Sequence, residues 1–375
     1  MSVQKVLIYI DSLTSGGAER TTFYLSKYLV EHDYSVTVMT NHGKERDFYS
    51  LDQRVERIVL NPPFENKGYR KLIANIKKVI MARTLFKKEK PDVVIGMGSK
   101  NAVVSVLAGL KLSTRVVVAE RNFPKHNRVT PPWALLRRLF YRFADAQTAM
   151  TKDTVKWLEK HTGAKNAVSI PVSIQWPIPA HSPVLDPDSL FDEDDKLILA
   201  VGRLHPVKGF DLLIDAFAMV CEENPDWKLV ILGGEQEGSQ YRGKLAKKIR
   251  ENELAERVLL PGRAGNVGDW YLRADLFVLS SRTEGFPNVL LEAMASGCCC
   301  LAFDCETGPG EIIESGTNGI LVPSEDVPAL AESMRKLMES PELREKLGER
   351  STAVREKYSE SSVLVKWEEL LQGLA

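Results

Sequence analysis

The chain reads as two successive α/β domains, each a parallel sheet with crossover helices, and three observations predict this. Short apolar runs alternate with helical lengths in both halves, a proline-rich break falls between the halves, and the sign of the charge reverses at that break. The length agrees, because 375 residues exceed the usual span of one domain.

In the first half, Lys5–Ile10 reads as a buried strand followed by the loop 11–17 and a helix over about 18–31. A second strand is expected at 34–40, a long helix over roughly 69–89, and further strands at Val93–Met97 and Arg115–Ala119. Five prolines, at 171, 177, 179, 183 and 187, then remove donors and fix φ, so this stretch reads as an interdomain linker. The second half repeats the rhythm, with a strand at Lys196–Val201, a helix at 210–222, a strand at 228–233 and a helix at 241–252. Further strands are expected at 258–260, 276–280, 298–303 and 319–322. The domains expected are 1–175 and 184–355, with a C-terminal helix at about 360–375 packing back on the first. Together they make two Rossmann-like α/β domains facing each other across a cleft.

Equal counts of 50 Lys+Arg and 50 Asp+Glu argue against a dedicated nucleic-acid binder. That neutrality is a sum of opposites: residues 1–183 carry 29 cations against 15 acids, and residues 184–375 carry 21 against 35. Either the basic half meets an anionic surface or the two domains simply present different solvated faces. Four of the five cysteines fall between Cys298 and Cys305, in an apolar run whose neighbours on a strand point to opposite faces. Buried reduced thiols are expected there, with no metal ligand set and no secreted disulfide framework. Val6 to Ile10 is too short an apolar run for a signal peptide or membrane span, so a cytosolic protein is expected.

Three segments concentrate chemistry. The loop Ser15-Gly16-Gly17-Ala18-Glu19-Arg20 joins the first strand to its helix, where paired glycines let backbone approach an anion. After the second domain's first strand, Arg203 can fork two N–H bonds to phosphate oxygens and Lys208 adds a compact charge, with Gly202 and Gly209 flanking them. In the run from Glu284 to Glu292, Pro287 suits the first helical position, so Asn288 and Val289 are expected to present backbone N–H groups at a helix start. Glu284 then lies on the preceding loop and Glu292 a turn inside the helix, one suited to sugar hydroxyls and the other to a ribose diol.

These segments, with Leu232-Gly233-Gly234, Pro261-Gly262-Arg263, Gly308-Pro309-Gly310-Glu311 and Asn318-Gly319-Ile320-Leu321-Val322, resemble family-4 retaining glycosyltransferases of the GT-B fold. The resemblance covers essentially the whole chain and looks closest to bacterial surface-glycan enzymes, including N-acetylgalactosamine transferases acting on polyprenyl-diphosphate-linked oligosaccharides. It implies that Arg203 and Lys208 bind the donor diphosphate with the amides near Asn288 and Val289. It further implies that Glu292 holds the ribose, that Glu284 contacts the transferred sugar, and that backbone around Arg263 reads the base. Gly16 and Gly17 would approach the diphosphate from the first domain on closure. The substrate implied is a nucleotide sugar, a UDP-linked hexose or N-acetylhexosamine, with no cofactor. Retention would follow from same-face attack as the diphosphate departs, Arg203, Lys208 and the helix dipole standing in for a metal ion.

The chain departs from the family in one place. Many relatives carry a histidine where Arg121 stands in Glu120-Arg121-Asn122, and a fixed cation can bind sugar or acceptor phosphate but cannot serve as a base near neutral pH. His126, close by, reads as incidental. Two basic segments give the acceptor side a possible use. In 69–89 the apolar Leu72, Ile76, Val79, Ile80 and Phe86 are expected to pack on the sheet, while Arg70, Lys71, Lys77, Lys78, Arg83, Lys87 and Lys88 meet a membrane or a lipid diphosphate. In 131–143, Trp133, Arg137, Arg138 and Arg142 are expected to contact an anionic membrane. The partners expected are therefore a nucleotide sugar, a lipid-linked glycan acceptor and the inner face of the plasma membrane, but no nucleic acid. The residues leave open another GT-B enzyme, such as a sugar-nucleotide epimerase or a phosphorylase, or a non-catalytic nucleotide binder.

Overall fold

The computed structural model describes residues 3–14, 16–63, 68–126, 129–192, 194–235 and 238–374. It divides into two compact units, Met1–Ser173 with Glu360–Ala375, and Ile174–Ser359.

The first unit runs β1 (Lys5–Ile10), α1 (Gly17–Glu31), β2 (Ser35–Thr40), β3 (Glu56–Val59), α2 (Gly68–Glu89), β4 (Val93–Met97) and α3 (Ser99–Gly109). It continues with β5 (Arg115–Ala119), α4 (Pro131–Phe140), β6 (Ala146–Ala149), α5 (Lys152–Thr162) and β7 (Ala167–Ser169). The strands form one parallel sheet in the order β3-β2-β1-β4-β5-β6-β7. Strand alternation sorts the core into two layers: Val6, Ile8 and Ile10 pack with Leu25 and Leu29 of α1, whereas Leu7 and Tyr9 pack with helices α2 to α5.

The sequence pattern overlooks β3, β6 and β7. The first is Glu-Arg-Ile-Val at the sheet edge, with only two apolar residues, β6 is Ala-Gln-Thr-Ala, and β7 has three residues. Gln147 and Thr148 are nonetheless buried, and Gln147 is satisfied by the Tyr141 carbonyl at 3.0 Å and by Thr162 at 3.2 Å.

The second unit runs β8 (Lys196–Val201), α6 (Phe210–Ala218), β9 (Trp227–Leu232), α7 (Tyr241–Glu251), β10 (Val258–Gly262), α8 (Val267–Arg273) and β11 (Leu276–Leu279). Then follow α9 (Asn288–Ala295), β12 (Cys300–Asp304), α10 (Pro309–Ile312), β13 (Ile320–Pro323), α11 (Val327–Glu339), α12 (Pro341–Ser351) and α13 (Val354–Lys357). Its parallel sheet has the order β10-β9-β8-β11-β12-β13. Helix α6 stops at Ala218, short of residue 222, and a turn follows. The cysteine run enters β12 only at Cys300, and the five thiols are free and buried, as Cys299 and Cys305 illustrate, each pushed up to about 12 by burial.

The proline-rich stretch is not a free linker, because most of it is strapped to the second unit. The Ile174 N–H donates to the Tyr358 carbonyl at 2.8 Å, that of His181 to Gly265 at 3.0 Å, and the Trp270 indole to the Leu185 carbonyl at 2.9 Å. Proline removes donors yet leaves carbonyls, and Pro183 uses its own to accept from the Gly265 N–H at 2.6 Å. The unit therefore begins at Ile174 rather than 184 and ends at Ser359 rather than 355. In the acidic run beside it Glu193 lies outside the described residues, while Asp195 is not free surface but paired with Lys228.

The last helix, α14 (Glu360–Gln372), belongs to the first unit. Its Val363, Leu364, Trp367 and Leu371 join the α1 layer, and Tyr28 donates to Glu368 at 2.8 Å. Trp367 is fully buried, so Trp367→Ala is expected to destabilise the first unit by about 3–5 kcal/mol in denaturant unfolding. A loss under about 1 kcal/mol would mean that α14 is dispensable to that core.

Candidate active site

In an open α/β sheet, loops diverge where the strand order reverses, and a ligand crevice forms at the carboxyl ends of the strands there. The second unit reverses between β8 and β11, so the loops leaving these strands, 202–209 and 280–287, meet at one point. They are pinned together. Ser280 Oγ donates to the Lys208 carbonyl at 3.0 Å, and the Arg282 N–H donates to the Val207 carbonyl at 2.9 Å. Gly209 lies at φ +62°, and a Cβ there would stand 1.9 Å from the Ser280 carbonyl oxygen, so only glycine permits this approach.

This junction brings Lys208 and Glu284 together. Lys208 Nζ lies 2.6 Å from Glu284 Oε1, with the two side chains only 17% and 10% exposed, and the same oxygen accepts from Ser281 Oγ at 2.6 Å. The sequence placed these residues in one site but did not anticipate that they would pair. The Thr307 hydroxyl holds the Glu284 carbonyl, fixing the loop from the β12 side. Arg203, at the exit of β8, is exposed and has no recorded partner among the described residues.

Pro287 is the residue before the helix rather than its first member, so α9 starts at Asn288. The shift has a physical reason: its ψ of 90° is extended, while its carbonyl accepts from Leu290 and Leu291 at 3.1 and 3.2 Å. The Asn288 and Val289 amides remain at the dipolar end of the helix, and Asn288 Oδ1 is buried there without a hydrogen-bond partner. One turn in, Glu292 is buried and accepts from the Tyr271 hydroxyl at 3.2 Å, and burial beside this carboxylate drives the Tyr271 phenol well above its ordinary range. Arg263 is exposed after β10, its chain lying over Gly234, where a Cβ would meet its Nε at 2.0 Å. Cations, helix amides and a recessed carboxylate thus lie around one loop junction, a set able to take a diphosphate and a diol.

The first unit reverses its order between β1 and β4, and a cavity of about 450 Å³ opens at their carboxyl ends. Asp11, Glu19, Lys78, Ser99, Lys100 and Asn101 are among its lining residues. Asn41 links Tyr9 and Asp11, each at 2.6 Å, and reaches Asn101 at 3.4 Å, while Lys78 lies 5.5 Å from the Tyr9 ring centre and 3.4 Å from Asn101 Oδ1. Burial lowers the Lys78 ammonium to about 8 and raises the Glu19 carboxyl. Sequence reasoning missed Asp11, Asn41 and Asn101; the signal was the position of Asp11 at the end of the first strand, at a switch point.

Gly16 precedes α1 and Gly17 opens it; Ser15 lies outside the described residues. The Glu19 carboxylate folds back over this helix start, where a Cβ on Gly16 would meet Oε2 at 2.1 Å, so the chain's own acid already faces those amides.

Several expectations about the basic half need correction. Glu120 is buried and spoken for, accepting from Tyr141 at 2.6 Å and Ser99 at 2.8 Å, and burial raises its pKa. Arg121 is also buried, donates to Thr21 Oγ1 at 2.6 Å and is pushed down to about 10 by burial and the neighbouring Arg20; Asn122 and His126 are exposed. Trp133 and Arg137 do not face solvent. Trp133 belongs to the core, and Arg137 lies 4.0 Å from Glu120 and 5.0 Å from the Trp157 ring centre. Arg138 and Arg142 are exposed, beside exposed Leu135, Leu139 and Phe143.

Helix α2 is turned about its axis relative to the expected packing. The inward row is Ala74, Lys78, Ala82 and Phe86, at spacing four, where alanines allow the helix to lie close on α3. Leu72, Ile76 and Ile80 are therefore exposed rather than packed, together with Tyr69 and Ile73. Arg83 also turns inward, donating to the Ala108 and Leu110 carbonyls at 2.8 and 2.7 Å.

Two family models match the chain: one described as Glycosyltransferase Family 4 over residues 15–172, the other as Glycosyl transferases group 1 over residues 183–354. The chain belongs to the glycosyltransferases that join these two regions, of the GT-B type. It is 27% identical to the amylovoran biosynthesis glycosyltransferase AmsD of Erwinia amylovora, over 98% of this chain and 99% of that protein. It is 26% identical, over 92% of each, to a Campylobacter jejuni enzyme named as an α-1,4-N-acetyl-D-galactosaminyltransferase acting on a diNAcBac-PP-undecaprenol-linked glycan. Among solved structures, Anabaena Alr3699/HepE in complex with UDP shares the fold at a TM-score of 0.79 and 19% identity, over 99% of this chain and 100% of that one.

Lys78 gives this geometry a test. Its pKa is about 8 when folded against 10.5 for an ordinary lysine, so between these values the unfolded chain binds more protons and stability rises with pH. Below about 8 the buried charge is a cost, and Lys78→Met is expected to raise unfolding stability at pH 7 by about 1–3 kcal/mol. It should also flatten the rise between pH 8 and 10; an unaltered slope in urea unfolding across that window would contradict the inward placement of Lys78.

Proposed function

We propose that the protein is a retaining, metal-independent glycosyltransferase that moves a hexose or N-acetylhexosamine from a UDP-sugar to a glycan carried on a polyprenyl diphosphate. The observation that carries this reading is the Lys208–Glu284 pair beside the start of α9, with Glu292 recessed one turn inside. The UDP complex named for the Anabaena neighbour and the undecaprenyl-linked substrate named for the Campylobacter relative support the donor and the acceptor class.

In this reading the donor diphosphate enters between Arg203, Lys208 and the Asn288 and Val289 amides, and its ribose hydroxyls reach Glu292. Glu284 accepts from hydroxyls of the transferred sugar through the oxygen that Lys208 and Ser281 leave free. The bond from the anomeric carbon to the diphosphate breaks while an acceptor hydroxyl bonds to the same face. Its proton passes to the departing phosphate oxygen, and the cations and helix amides carry the developing charge. The first unit holds the acceptor glycan in its polar cavity, where Asp11 can accept from hydroxyls and Lys78 and Lys100 can donate.

The exposed apolar residues of α2, with Arg70, Lys71, Lys77, Lys87 and Lys88, and those beside Arg138 and Arg142 meet an anionic leaflet on the cytoplasmic side. Each cation near such a surface contributes about 1 kcal/mol. No helix among the described residues is long and apolar enough to cross a membrane.

Lys208→Ala and Glu292→Ala are expected to weaken UDP binding at least tenfold by calorimetry, on the order of 1.5–3 kcal/mol per charge-assisted contact. Glu284→Ala should mainly lower turnover of a radiolabelled UDP-sugar. Unchanged nucleotide affinity in the first two variants would refute the donor site. For the membrane surface, Arg138→Glu with Arg142→Glu is expected to weaken binding to phosphatidylglycerol-containing liposomes while sparing activity on a detergent-soluble acceptor. Binding indifferent to both the substitutions and added salt would contradict the electrostatic account.

A further inference from the structure

We infer that Arg282 is a positioning residue for the transfer reaction, one that sets the spacing of Lys208 and Glu284 by tying their two loops to helix α6. The inference rests on the donor reading above, in which these two side chains act on the nucleotide sugar.

The Arg282 guanidinium is a crossing point. Nη1 and Nη2 donate to the two carboxylate oxygens of Asp211 at 2.9 and 2.7 Å, Nη1 also to the Pro206 carbonyl at 2.5 Å, and Nε to Glu325 at 2.9 Å. Asp211 stands in the first turn of α6 and accepts in addition from the Tyr241 hydroxyl of α7 at 2.8 Å. The fork-to-fork contact fixes orientation as well as distance, which a lysine in the same place cannot reproduce. Burial would raise the acid, but pairing with Arg282 outweighs it and holds the acid below its ordinary range, and the guanidinium sits above its own.

The covalent distances explain why this clamp bears on the site. Asp211 follows Lys208 by three residues, and Arg282 precedes Glu284 by two. The Pro206 carbonyl that Arg282 grips opens the short 3-10 turn ending at Lys208. The Arg282 backbone N–H binds the next carbonyl along, that of Val207. Both loops are therefore anchored within three residues of the paired side chains, and the anchor continues through Glu325 to the turn before α11. Nothing in this arrangement requires Arg282 to touch substrate. Its side chain is consumed by protein acceptors, and its effect reaches the donor only through the loops it joins.

The test uses Arg282→Lys, which keeps the charge and loses the fork, alongside Asp211→Asn. A misplacement of about 1 Å can cost on the order of a hundredfold, so kcat should fall by about that factor while KM for the UDP-sugar changes less than about threefold. In a Lys208→Ala background the same Arg282→Lys change should remove less than about threefold more, because its route is already broken. A second readout is independent of the donor reading. Lys208, released from Glu284, should be acylated about tenfold faster in Arg282→Lys, measured by mass spectrometry, with Lys248 paired to Asp215 as the unchanged reference. Equal losses of kcat with and without Lys208, or a Lys208 labelling rate that does not move in the folded variant, would overturn the inference. If Lys208→Ala alone leaves donor affinity intact, the donor reading fails, and the labelling rate still decides whether the clamp holds Lys208.

Discussion

The close passage of the loop after β8 against the loop after β11 is the constraint on which the second unit depends. It exists because Gly209 adopts a left-handed backbone that leaves room for the Ser280 carbonyl, and because Ser280 and Arg282 hydrogen-bond the carbonyls of 207 and 208. Once the loops are held so closely, a lysine and a glutamate from distant parts of the chain are forced into contact at low exposure. Such a pair costs desolvation on both sides, and contact at 2.6 Å with a further hydroxyl on the same oxygen offsets that cost. In the proposed reading, an incoming diphosphate and sugar exchange partners with the pair without leaving either charge alone.

The same economy of buried polarity appears in the first unit, with a different solution. There the helix start at Gly16 is faced by Glu19, the acid at Glu120 is held by Tyr141 and Ser99, and Lys78 is turned toward Tyr9 and Asn101. Glu19 and Lys78 line a cavity without pairing to each other at contact distance, and burial raises the carboxyl of the one and lowers the ammonium of the other. A polyhydroxylated ligand suits such a lining, since it can satisfy acids and amines together.

The fold was legible because its strongest strands are continuous apolar runs, and because Gly, Pro and Arg/Lys placements at strand ends follow backbone necessity. The strands that escaped notice, β3, β6 and β7, are polar or very short, and their residues are stabilised by partners far along the chain. Helix α2 shows the limit of periodicity most clearly. Its apolar residues mark a face at Leu72, Ile76 and Ile80, yet the face that packs is the one with alanines at 74 and 82, because close approach to α3 needs small side chains. Arg137 misled for a related reason: a cation among aromatics reads as surface, but Trp157 and Glu120 supply a buried seat for it. In the second unit the candidate site residues were legible one by one. Their mutual contacts, and the part played by Arg282 and Asp211, required the strand order.

The proposed donor site requires that the start of α9, beside Lys208, receive a diphosphate. Amide NMR of the labelled protein titrated with UDP, and separately with uridine, tests it most directly. The Asn288 and Val289 amide signals are expected to shift with UDP and stay in place with uridine, because only the former carries charge to the helix end. Equal shifts with both ligands, or UDP shifts confined to other segments, would contradict it.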